Sequence, residues 1–201
     1  MGRAWFSPAG ANLYLSVALT SPGLESVLSL LPLAVGVAAT EAIEQEAGVV
    51  ATLKWPNDVY VDGLKLGGIL CEGVTVGARF VGVVAGVGIN VNVASEDVPA
   101  ELADVLTSLR MLTGREHDPE RLAHAVRSRV LHVAEVLRSG GASEVLRAWR
   151  GRDCANGRTV EAADGSFTGT ACGVEDDGAL RVLRSDGALI RVRSGEVRFV
   201  R

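Results

Sequence analysis

The chain has 201 residues, 48% of them hydrophobic and 22% charged, and its 20 basic against 24 acidic side chains leave a net charge of −4. These proportions suit one good-sized globular domain, or a domain with a small appendage, and they exclude a disordered chain. The slightly acidic balance excludes broad, charge-driven nucleic-acid binding but leaves room for a local cationic pocket.

The longest apolar run, 27–39, is broken by Ser29, Pro32 and Gly36. It falls short of the roughly 20 residues a bilayer-spanning helix needs, so no membrane association is expected. The opening Met-Gly-Arg-Ala-Trp does not read as a signal peptide. Cys71, Cys154 and Cys172 are odd in number and far apart, which fits neither a disulfide framework nor a zinc knuckle. A reducing cytoplasm is the expected compartment.

In chain order, residues 12–19 alternate apolar Leu13, Leu15 and Val17 against Tyr14 and Ser16, the pattern of a half-buried strand. From 27 to 47 apolar residues recur at helical spacing, and Gly48 stands where a C-terminal glycine would end the helix. A short strand at 49–53 runs into Lys54-Trp55-Pro56-Asn57-Asp58, where Pro56 enforces a strand end or loop. Residues 59–61, an Asp62-Gly63 turn and residues 66–72 predict a hairpin. Residues 80–93 form a long β-rich run carrying Gly82, Gly86 and Gly88, glycines that let a ligand approach the backbone. Four strands with an inserted helix predict an α+β fold: a mixed β-sheet covered on one side by packing helices.

Asp118-Pro119-Glu120 predicts a helix start, and Leu122, Val126, Val130, Val133 and Leu137 give that helix one buried face. Ser143 is the expected cap of a shorter helix containing Val145, Leu146 and Trp149. Beyond Arg150 come short strands separated by Asn156-Gly157, Asp164-Gly165, Asp177-Gly178 and Asp186-Gly187, the pattern of a small barrel or sandwich. The expected division is therefore 1–150 and 151–201.

The basic residues are 18 Arg and two Lys, with Lys54 and Lys65 eleven positions apart. An ammonium is a compact charge with rotatable donors, not interchangeable in a tight site with a guanidinium. The predicted hairpin folds Lys65 back towards Asn57 and Asp58, gathering two ammoniums, a carboxylate and an amide. Such a set suits a polyphosphate with its divalent metal, Mg2+ being the hard ion that Asp and Asn oxygens favour. A surface salt-bridge cluster beside a buried Trp is the plainer alternative. Gly86-Val87-Gly88-Ile89-Asn90 allows close approach of a flat ligand but is no dinucleotide fingerprint. Arg3 and Trp5 are candidates to bind phosphate and to stack on a base.

Taken together these segments resemble the biotin protein ligase family. The run Gly-Arg-Ala-Trp-Phe-Ser-Pro-Ala-Gly-Ala-Asn-Leu-Tyr-Leu-Ser at 2–16 is similar to a strand region of that family. Lys54-Trp55-Pro56-Asn57-Asp58 with Lys65-Leu66-Gly67-Gly68-Ile69 is similar to its central signature, and Gly86-Val87-Gly88-Ile89-Asn90-Val91-Asn92 to a third motif. The ending, with Gly178-Ala179-Leu180 and Ser194-Gly195-Glu196-Val197, resembles the family's SH3-like C-terminal domain.

The resemblance implies a catalytic domain of the biotin/lipoate ligase type over 1–150 and a small C-terminal SH3-like β-barrel over 151–201. It implies activation of biotin by ATP to biotinyl-5′-AMP, with Mg2+, and transfer to a lysine of a biotin carboxyl carrier protein domain. Lys54 and Asp58 are the implied catalytic residues. Lys54, Gly67, Gly68, Gly86 and Gly88 would contact biotin. Arg3, Trp5, Asn57, Asp58, Lys65 and Asn90 would hold ATP, with Asp58 next to the metal-bound phosphates. The glycine-bearing strand edge near position 82 is a candidate homodimer contact.

The family's catalytic domain usually opens several dozen residues earlier, with a Ser/Thr-rich biotin contact and a Gly-Arg-Gly-Arg-type loop. Only Gly2-Arg3 match the end of that loop, so a shortened catalytic domain lacking an edge strand is expected. The winged helix of the family's repressor members has no counterpart, and no sequence-specific DNA role is implied. The alternatives are an impaired remnant that binds nucleotide, carrier domain or a full-length partner, and, further off, a lipoate or octanoate ligase.

Overall fold

The computed structural model describes residues 6, 8–20 and 23–200, so Arg3 and Trp5 lie outside the described residues. Strands β1 (Asn12–Leu19), β2 (Thr52–Lys54), β3 (Asp58–Val61), β4 (Leu64–Val76) and β5 (Arg79–Asn90) form one sheet in the order β1-β5-β4-β3-β2. Its ladders are antiparallel, and parallel pairing is confined to two isolated bridges, Leu53 with Asp153 and Lys65 with Leu106. The sheet has five strands rather than four: each of the β segments expected at 12–19, 49–53, 59–61, 66–72 and 80–93 supplies one.

Helix α1 (Leu31–Ala47) crosses one face of this sheet. Nearly all its apolar positions are buried, because α3 (Pro119–Arg138) and α4 (Ala142–Arg150) cover its other side. Residues 31–40 are buried on all sides but for half-buried Pro32, the mark of a core segment between two layers, while Glu44 and Gln45 in the last turns are exposed. Preceded by a 3-10 turn, the stretch Glu25–Ala47 is 23 residues long, longer than the 27–39 apolar run read from sequence and apolar enough to cross a membrane; most of it is buried inside the protein. Gly48 ends α1 with φ +70, donating its N–H to the Glu44 carbonyl.

The Asp118 carboxylate accepts from the N–H groups of Glu120 and Arg121 and starts α3, whose buried face is the expected one. At α4 the expected cap is corrected. Gly141 occupies the N-cap and Ser143 lies inside the helix, because the Gly141 carbonyl accepts directly from Glu144 N–H. The short helix α2 (Leu109–Thr113), capped by Ser108, had no clear signal in the sequence.

The second sheet contains β6 (Thr159–Ala162), β7 (Thr168–Val174), β8 (Leu180–Leu183), β9 (Leu189–Val192) and β10 (Val197–Phe199), in the order β10-β6-β7-β8-β9. No ladder joins β9 to β10 among the described residues. Its Asp-Gly turns share one mechanism: Asp164, Asp177 and Asp186 each accept from the N–H two residues on, and the following glycine takes a positive φ.

The Asp177-Gly178 turn is also a plug. Trp55 Nε1 donates to the Gly178 carbonyl at 3.0 Å. A Cβ on Gly178 would stand 3.1 Å from both the Ser29 carbonyl and a Leu30 methyl, at φ +83. Gly187 has nearly the same φ, +82, with nothing near its missing Cβ. Gly187→Ala should therefore cost only the left-handed backbone term, about 1–2 kcal/mol. Gly178→Ala should cost more, and paired urea titrations of the two variants measure the difference. Equal losses would mean that the turn is not wedged against 29–30.

Candidate active site on the uncovered face of the first sheet

Partner residues across antiparallel strands share a face, so the pairing register writes out each face as rows. One row is Leu13, Ile89, Gly67, Val59 and Leu53, all buried and turned towards the helices. The adjacent row, on the opposite face, is Tyr14, Gly88, Gly68, Asp58 and Lys54. Ser16, Gly86 and Leu70 continue that face. The result is a trough floored by Gly68, Gly86 and Gly88, with Tyr14 on one wall and the charged residues on the other. Gly67 is placed otherwise than the resemblance implied. Its row is the helix-covered one, and a Cβ there would collide with the Gly88 carbonyl, so glycine at 67 serves strand packing.

Lys65 reaches this face through a β-bulge. Asp58 pairs with Gly68 and Val59 with Gly67, but Tyr60 pairs with Lys65, which leaves Leu66 as the extra residue. Strict alternation would have turned Lys65 to the core; the bulge turns it to the side of Asp58 and Tyr60. Lys65 Nζ then stands 2.5 Å from Asp58 Oδ1, and Lys54 Nζ stands 3.0 Å from Asp58 Oδ2. Two ammoniums against one carboxylate leave a net positive charge for an anion. Their exposures differ: the Lys54 side chain is 4% exposed and that of Lys65 29%.

The two asparagines expected to hold ATP have their amide groups engaged by the scaffold. Asn57 Nδ2 donates to the Ile69 carbonyl at 2.6 Å, and Ile69 N–H donates back to the Asn57 carbonyl, clasping the signature to β4. Asn90, 4% exposed, donates to the Thr107 carbonyl at 3.0 Å. Thr107 N–H in turn donates to the Lys65 carbonyl, and Lys65 N–H to the Val105 carbonyl. Asn90 therefore fixes the backbone that carries Lys65, through a segment, 105–108, that no sequence motif marked. Tyr60 was also missed: Lys54 Nζ donates to its hydroxyl at 3.4 Å, and burial first, then Asp58, raise its pKa, so it stays a phenol. Its position two residues after Asp58 on the same strand was the available signal.

Asp58 has both oxygens engaged by ammoniums, and the described residues include no group of three His, Cys, Asp or Glu side chains placed to hold a metal. The donors present do not form a cage for a resident metal ion.

Residues 1–90 match the Biotin/lipoate A/B protein ligase family, and residues 157–200 match the Biotin protein ligase C terminal domain. The biotin--[acetyl-CoA-carboxylase] ligase of Mycobacterium tuberculosis is 34% identical over 210 residues, covering 100% of this chain and 74% of that protein. The biotin protein ligase of Aquifex aeolicus, solved in complex with biotin and ATP, superposes with a TM-score of 0.85 at 29% identity, covering 100% of this chain and 82% of that one. The bifunctional ligase/repressor BirA of Bacillus spizizenii is 32% identical over 93% of this chain, which spans only 58% of that protein's length. The chain belongs to the biotin protein ligase family.

The Cys71 thiol has no place in the trough. Cys71 pairs with Ala85 on the helix-covered side, and burial pushes its pKa up to about 12. At pH 8 its thiolate fraction should lie roughly a thousandfold below that of an ordinary cysteine. Alkylation of Cys71 by iodoacetamide, followed peptide by peptide, should be slower by a similar factor. Labelling at the rate of a free thiol would contradict the placement.

Proposed function

We propose that the chain activates biotin with ATP and transfers it to a lysine of a biotin carboxyl carrier protein domain, as a biotin--[acetyl-CoA-carboxylase] ligase does. Residues 1–150 would supply the activating site and 151–201 the unit that abuts it. The observation that carries this reading is the Lys54–Asp58–Lys65 cluster at the end of a glycine-floored trough.

In the first step a biotin carboxylate oxygen bonds to the α-phosphorus of ATP, and the bond to the bridging oxygen breaks, releasing pyrophosphate. Negative charge builds on the α-phosphate oxygens, where a fixed ammonium is most effective. The exposures favour Lys65 for that contact and give Lys54 the task of holding Asp58 in place. Gly68, Gly86 and Gly88 would let the fused rings of biotin lie against the sheet, with Gly67 shaping the strand behind them. Asn57 and Asn90 would act through the backbone they anchor.

In the second step the neutral carrier amine bonds to the acyl carbon, the bond to AMP oxygen breaks, and AMP leaves. The amine must lose a proton, and Asp58 Oδ1, once the arriving anion draws Lys65 away, is the nearest base. Mg2+ would enter as the counter-ion of ATP and leave with pyrophosphate. A chain that consumes ATP and carries three free cysteines fits the cytoplasm.

Biotin-dependent pyrophosphate release from MgATP tests the first step, and its absence from the folded protein would favour a binding remnant. Lys65→Ala should lower kcat/KM for release by roughly 10²–10³-fold, with a smaller loss of melting temperature than Lys54→Ala, because Lys65 is the more exposed of the two partners of Asp58. Lys54→Ala should lower both rate and melting temperature, because it leaves Asp58 buried with one partner fewer. Full activity in Lys65→Ala would return the substrate contact to Lys54.

A further inference from the structure

Lys54 is enclosed by more than its carboxylate. Its Nζ lies 5.1 Å from the centroid of the Tyr60 ring and 5.7 Å from that of Phe199. Tyr60 and Phe199 meet edge to face, with centroids 6.0 Å apart and planes at 83°. The Arg158 guanidinium carbon stands 3.7 Å from the Phe199 centroid. Lys54 and Tyr60 belong to the first sheet; Phe199 ends β10 and Arg158 directly precedes β6. An ammonium this buried has lost most of its hydration and needs compensation from fixed partners. Here these are one carboxylate oxygen, one phenol oxygen and two aromatic rings, whose attraction for a cation grows as water is excluded.

We propose that Phe199, backed by Arg158, is a positioning residue for Lys54, so that the C-terminal sheet fixes the ammonium that holds Asp58. The inference rests on reading this cluster as the biotin-activating site, and deepens it. Without the ring, water reaches Nζ, Lys54 gains other rotamers, and Asp58 Oδ2 loses a fixed partner. Asp58 then draws more strongly on Lys65, and the cation needed at the α-phosphate is misplaced. Neither Phe199 nor Arg158 touches substrate in this scheme, so turnover should suffer and binding should not.

The chain has only two lysines, which makes the test direct. Acetylation by a small amine-reactive ester, read for each lysine by mass spectrometry, should label Lys54 far more slowly than Lys65 in the native protein. Phe199→Ala should speed labelling of Lys54 by about tenfold, the equivalent of one desolvated cation–ring contact, and leave Lys65 within about twofold. The kcat for pyrophosphate release should fall by a similar factor, with KM for biotin and for ATP little changed. Phe199→Tyr, which keeps the ring, should restore both, and Arg158→Gln should give an intermediate effect. If Phe199→Ala does not fold, Phe199→Leu removes the ring and keeps the apolar volume.

Unchanged labelling of Lys54 in a folded ring-less variant overturns the proposal, as does a parallel rise at Lys54 and Lys65. Should no form of the protein release pyrophosphate, the functional reading fails, while the labelling still decides whether Phe199 positions Lys54.

Discussion

The arrangement of this protein turns on one carboxylate shared by two ammoniums. Asp58 is 6% exposed, and a charge so removed from water is tolerable only with partners on both oxygens. Lys54 and Lys65 meet that need from opposite sides, one from β2 and one from β4. Three strands must therefore keep their register to within a fraction of a residue. The hydrogen bonds between Asn57 and Ile69 hold β3 to β4, and the 105–107 segment holds the backbone of Lys65. Each of these contacts serves the same requirement: delivering two point charges to one buried carboxylate.

That requirement couples the site to the core. Leu53, Val59 and Ile89 pack beneath the helices, while Lys54, Asp58 and Gly88 follow them directly in the chain or precede them and face the other way. A slip of one residue in any ladder would bury a charge among apolar side chains and expose a core residue. Register is thus specified twice, by apolar burial on one face and by ion pairing on the other. The bulge at Leu66 is the one place where alternation breaks, and there the break serves the charges.

Much of this was legible in the sequence because local rules sufficed. Alternation placed β1, the Asp118-Pro119 pair started α3, and the Asp-Gly pairs located the turns of the second sheet. The nearness of Lys54, Asp58 and Lys65 followed from a hairpin and an eleven-residue spacing. What escaped were features decided by distant partners. The amides of Asn57 and Asn90 read as ligand groups, and no local signal showed that each also donates to a scaffold carbonyl, at Ile69 and Thr107, 12 and 17 positions away. Gly67 and Gly68 read as one pair, and only the pairing register separates them onto opposite faces. Nothing local could link Phe199 to Tyr60 across most of the chain.

The C-terminal sheet belongs to the same physical problem. At roughly 50 residues such a unit buries too little surface to be secure alone. It is tied on at several places: Trp55 to the Gly178 carbonyl, Arg150 to the Val174 carbonyl and Asp176, and residues 152–154 along β2 through Leu53. Two of these ties fall on Leu53 and Trp55, the neighbours of Lys54 on either side. The contacts that secure the small sheet are thus the contacts that immobilise the backbone on which Lys54 rides. Placing Phe199 and Arg158 over the same lysine extends that logic from backbone to side chain, so that stability of the junction and geometry of the site cannot be varied independently.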